Sequence, residues 1–89
     1  MIYNNERLVQ VRCRYYATPD ATIKECYQNA HQLQDAWDFD VVQGWTEQNG
    51  ILVEHYFNRE NEWLYWDSTP IIEYCGDDVV YYVRAEELD

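Results

Sequence analysis

The side chains of this 89-residue chain that could take part in chemistry are three cysteines, two histidines and 17 carboxylates. A nucleophilic thiol needs a base within hydrogen-bond reach, and that base needs a third group to orient it. Cys75, followed by Gly76-Asp77, has the loop setting of an exposed nucleophile, but neighbouring acids disfavour a thiolate and raise the thiol pKa. His55 follows Glu54 in a stretch with strand character, where consecutive side chains point to opposite faces, so this imidazole and this carboxylate do not act together. His31 lies beside the apolar stripe of a helix, a structural position. Asp77-Asp78 offers oxygen ligands, but a calcium loop spreads its ligands over about a dozen residues and ends in Glu. The cysteines Cys13, Cys26 and Cys75 are odd in number and form no C-x-x-C pair, so neither a disulfide framework nor a zinc site is indicated. No glycine-rich phosphate loop or nucleophile elbow is present. The expectation is a protein that is not an enzyme and uses no metal or cofactor.

Charge is the feature left over. The 17 acids against 6 bases give a formal net charge of −11, beyond the magnitude of roughly 2–8 that solubility asks of a small domain. Residues 1–44 carry six acids and four bases, whereas residues 45–89 carry eleven acids and two bases, so the second half sets the field. So few cations exclude a direct grip on DNA or RNA. Arg7, Arg12 and Arg14 near the first strand are expected to pair with nearby acids. No stretch reaches membrane-spanning length, and the N-terminus lacks the basic start and apolar run of a secretory signal. A reducing, cytoplasmic setting follows from the cysteine pattern.

A chain of this length makes one domain, 1–89, with one core. Aromatics at 17% give that core large side chains to bury. Val9-Gln10-Val11-Arg12-Cys13-Arg14-Tyr15 alternates as a strand, with Val9, Val11, Cys13 and Tyr15 on one face. Thr18-Pro19 reads as a helix start, and Ile23, Cys26, Tyr27, Ala30, Leu33 and Trp37 recur at three- and four-residue steps along a helix of about five turns. Asn49-Gly50 between two apolar runs predicts a hairpin that sets Glu47 opposite Leu52 and Trp45 opposite Glu54. A second turn is expected through 58–61 into a strand over 62–67, and a third hairpin from 71–75 to 79–84. The sum is an α+β fold: an antiparallel β-sheet of about five to six strands in β-α-β-β-β-β order, with one amphipathic helix packed on one face and the other face open.

That open face, acidic and aromatic, is where function is expected. Glu54, Glu60, Glu62, Asp67, Glu73, Asp77 and Asp78 form the charged rim, with Trp63, Tyr65 and Tyr82 as anchors. Carboxylates arrayed on a sheet can occupy a groove built for phosphates, and a field of this sign steers a basic partner. The expected function is an acidic inhibitor that occupies the basic, nucleic-acid-handling groove of a partner protein, as a nucleic-acid mimic of the anti-CRISPR or anti-restriction kind. Two alternatives stand beside it. One is an immunity or antitoxin protein that inhibits a nuclease, and the other is an assembly subunit, monomeric or homodimeric, that associates through the open face.

Overall fold

The computed structural model describes residues 1–19, 21–22, 24–70 and 79–88. The described residues form a mixed α+β fold with one α-helix and a seven-stranded, mostly antiparallel sheet. At its centre lies the expected hairpin, β4 (Asp40–Gln48) and β5 (Ile51–Arg59), in the expected register with Glu47 opposite Leu52 and Trp45 opposite Glu54. Asn49 and Gly50 adopt φ of 54° and 80°, as a two-residue type I′ turn requires. Gly44, opposite His55, is held to glycine by space: a Cβ there would run into the Tyr82 carbonyl oxygen and lie 2.9 Å from the Phe57 ring.

The remaining strands are β1 (Ile2–Tyr3), β2 (Glu6–Val11), β3 (Cys13–Tyr15), β6 (Tyr65–Asp67) and β7 (Val80–Arg84), and a 3-10 turn covers Ala85–Leu88. The sheet order is β1-β2-β7-β4-β5-β6-β3. Only Arg12 separates β2 from β3, yet β2 pairs with β7 and β3 pairs in parallel with β6. One bent stretch of chain therefore borders both ends of the sheet, and the sheet closes on itself. The expected single strand over 9–15 and the expected open sheet face are both corrected here. The inward face is a core of Val42, Phe57, Tyr65, Tyr81 and Val83, with Val11, Cys13 and Val79 packed against it. Strand β6 is shorter than the expected 62–67 because the chain turns first: Asn61 Oδ1 accepts the Trp63 N–H and Leu64 C=O accepts the Glu60 N–H. The partner strand expected over 71–75 lies outside the described residues.

Helix α1 runs from Cys26 to Trp37, 12 residues, and is shorter than expected. Thr18-Pro19 does not start it. Asn29 is the reason: its side chain accepts the Thr22 N–H at 3.1 Å and donates to the Thr22 C=O at 2.8 Å, holding the preceding backbone in a loop. Lys24, at φ 66°, then turns the chain into the helix. Ala30 and Leu33 are buried, whereas Tyr27 and Trp37 are 57% and 56% exposed, so the apolar stripe is narrower than the periodicity implied. The helix lies along β5, where buried Asn58 donates to the Ala30 C=O at 2.9 Å and the Tyr27 and Tyr56 rings meet edge to face at 4.9 Å.

Candidate functional site

Two inward positions of neighbouring strands begin the site. Pairing of Asn58 with Trp66 sets Phe57 across from Asp67, so His55, two residues along β5 on the same face, is a diagonal neighbour of Asp67. Diagonal side chains on a sheet are within reach when they are long. His55 Nε2 lies 2.8 Å from Asp67 Oδ2, with the two residues 4% and 1% exposed. The remaining acceptor capacity of Asp67 is also used. Its Oδ1 accepts the Thr69 N–H at 3.0 Å, and its Oδ2 accepts the Tyr81 hydroxyl.

The third member comes from the helix. Cys26 is the first residue of α1, and its thiol is near enough to His55 for each to shift the other's pKa. Nε2 serves Asp67, so Nδ1 is the ring nitrogen that Asp67 does not engage. The helix start lacks a side-chain cap at Glu25, which leaves the positive end of the helix dipole beside the sulfur. Asn29, one turn along α1, ties both flanks together by bonding Thr22 ahead of Cys26 and the Thr69 hydroxyl beyond Asp67 at 2.9 Å. Cys26 is half-buried.

Electrostatics favour charge transfer within this trio. His55 is pulled down by burial, but hydrogen bonds to Asp67 and Cys26 and their negative charges outweigh that and raise its pKa from 6.5 to about 9. The hydrogen bond to His55 lowers the Cys26 pKa from its ordinary value against the opposing pull of burial, and the backbone N–H groups of Tyr56 and Tyr27 assist. Cys13 is the contrast: burial, aided by the charge of Asp67, raises its pKa well above the ordinary thiol value. The arrangement is a thiol with a lowered pKa, an imidazole with a raised one, and a buried carboxylate that orients the imidazole. Those are the parts of a nucleophilic cysteine centre.

Among the described residues, those expected to form a binding face are not gathered on one. Glu60, Glu62 and Trp63 are exposed together between β5 and β6, with Trp63 82% exposed and Glu60 accepting the Trp66 Nε1–H at 2.9 Å. Glu54 is exposed six residues upstream of Glu60 along β5, about 20 Å away by strand rise. Tyr65 and Asp67 were expected on the surface and are instead 2% and 1% exposed, because β6 turns these alternate residues into the closed sheet. Tyr82 is half-buried and donates to Glu47 at 3.3 Å. Glu73, Asp77, Asp78 and the candidate nucleophile Cys75 lie outside the described residues. Among the described residues no group of three or more His, Cys, Asp and Glu side chains is placed to hold a metal ion, and no helix is long and apolar enough to cross a membrane.

The separation of His55 from Glu54 holds, but it did not disqualify the imidazole: its carboxylate partner comes from the next strand. Reading Cys26 as one more apolar position in the helix stripe hid its place at the helix start. The sequence carried no signal for this grouping, since the start of α1 at Cys26 and the pairing of β5 with β6 are both set by tertiary contacts. Comparison with protein-family models, with curated proteins and with solved structures finds no match to this chain.

Proposed function

We propose that this protein is a cysteine-dependent acyl-transfer enzyme that hydrolyses an amide or ester bond, with Cys26 as nucleophile, His55 as general base and acid, and Asp67 as the group that orients His55. The observation that supports this reading is the buried His55–Asp67 pair at 2.8 Å, with half-buried Cys26 at the helix start coupled to the imidazole electrostatically. His55 takes the thiol proton, and the thiolate adds to the substrate carbonyl carbon. Collapse of the adduct expels the amine or alcohol, which takes its proton from His55, and leaves a thioester on Cys26. Water then adds to the thioester carbonyl as its proton passes to His55; the acid leaves, and the proton returns to the sulfur.

The test is mass-spectrometric mapping of iodoacetamide labelling at pH 6, where an ordinary thiol with pKa of about 8.5 is almost wholly protonated. Cys26 is expected to label much faster than glutathione and than Cys13, and His55→Gln is expected to remove the difference. Labelling of Cys26 no faster than glutathione at pH 6 would overturn the proposal.

A second reading rests on a different observation, the exposure of Trp63 next to Glu62 and three residues after Glu60 on a chain of net charge −11. It keeps the acidic inhibitor, with this turn as the contact to a basic, nucleic-acid-binding partner. Immobilised protein should then capture such a partner from lysate at low salt, and Trp63→Ala should abolish capture while Cys26→Ala leaves it intact. Capture that is unchanged by Trp63→Ala removes this turn from consideration.

A further inference from the structure

The proposed trio uses one edge of the Asp67 carboxylate, and the rest of that carboxylate is held by groups the reaction does not touch. We infer that Tyr81 is a positioning residue for this site, fixing Asp67 so that its Oδ2 faces His55 Nε2; the inference rests on the cysteine-enzyme reading. Oδ2 is shared between His55 Nε2 and the Tyr81 hydroxyl, while Oδ1 is taken by the Thr69 N–H at 3.0 Å. These donors fix both the carboxylate's rotation and its plane.

Tyr81 is itself held from several directions. It sits in β7 between Val11 of β2 and Thr46 of β4, is 7% exposed, and packs its ring against Phe57 and His55 at 5.2 and 6.1 Å. Strand pairing, not a flexible loop, therefore sets where its hydroxyl points. Asp67 is 1% exposed, so water cannot replace a lost donor freely. Without the hydroxyl, the carboxylate would keep an unsatisfied lone pair in a dry site and could turn away from His55. An imidazolium with a poorer partner holds the thiolate less well, so Cys26 would become a more ordinary thiol.

The experiment is the pH profile of Cys26 alkylation by iodoacetamide, from pH 5 to 10, in wild type, Tyr81→Phe and Tyr82→Phe. Tyr82→Phe is the control, since it deletes a hydroxyl on the same strand that bonds Glu47 and not Asp67. Loss of one charge-assisted hydrogen bond is expected to move the Tyr81→Phe profile up by about one pH unit and slow labelling about tenfold at pH 6. The Tyr82→Phe profile should superimpose on wild type. A wild-type profile like that of glutathione ends the cysteine-enzyme reading and this inference with it. A depressed wild-type profile on which Tyr81→Phe superimposes overturns the inference alone. If Tyr81→Phe does not fold, proton NMR of the wild type decides: a slowly exchanging, low-field phenolic proton close in space to the His55 Nε2–H is expected, and its absence refutes the role.

Discussion

Replacing Asp67 by Asn tests the buried pair on which the site is built. The substitution keeps the shape and leaves one oxygen to accept the Thr69 N–H, but it removes the charge opposite His55 and one of the acceptors for Tyr81. With the partners 4% and 1% exposed, solvent cannot stand in for the missing carboxylate. Removing one member of a buried ion pair costs about 3–5 kcal/mol, and the isosteric change belongs at the lower end, about 3 kcal/mol. A domain of this size has roughly 4–13 kcal/mol in all at 0.05–0.15 per residue, so the variant would remain folded but fragile. Near the melting point the loss corresponds to a fall in Tm of roughly 12–24 °C. Urea denaturation at pH 7, followed by fluorescence of the four tryptophans, measures it. Burial, which lowers the His55 pKa, would then act with less opposition, and the imidazole should titrate well below its wild-type value of about 9. A loss of less than about 1 kcal/mol, with His55 still protonated at pH 8, would refute the assignment of a charged pair at this place.

The pH dependence of stability has a definite sign. His55 is raised from 6.5 to about 9, so its contribution is complete below about pH 6.5 and disappears as pH climbs through about 9, whereas the lowered Cys26 pKa acts in the opposite direction. In Cys26→Ala, which removes the opposing group and also its share in raising His55, unfolding free energy should still fall between pH 6 and 10, by less than the roughly 3 kcal/mol of the full shift; a flat or rising curve contradicts the protonated, paired histidine. Gly44→Ala would force a methyl group against the Tyr82 carbonyl and the Phe57 ring directly across from His55. Thermal unfolding should show a loss of about 1–3 kcal/mol, and an unchanged Tm would mean that the strands there have more room than the packing indicates.

Local rules carried the primary structure a long way where contacts are local. Asn49-Gly50 gave both the hairpin and its register, since only a turn with two positive φ angles fits there and the pairing follows by counting. The alternation around Val11 and Cys13, the burial of Ala30 and Leu33, and one helix on a mainly antiparallel sheet were legible for the same reason. The helix start was not. Thr18-Pro19 has the chemistry of a cap, but Asn29 reaches back to Thr22 and defers the first turn to Cys26, a competition that propensity does not weigh.

The site was decided almost entirely by tertiary structure. Cys26, His55 and Asp67 are 29 and 12 residues apart along the chain, and nothing in their immediate neighbours distinguishes them from a core cysteine, a strand histidine and a surface acid. The charge total, the aromatic content and the hairpin register depend on composition and on adjacent residues, so they could be read directly. Which way β6 faces, and hence that Tyr65 and Asp67 turn inward, depends on how β5 and β6 pair and on the closure of the sheet through β2 and β3. Side-chain alternation has two solutions for every strand, and only burial against the rest of the fold chooses between them.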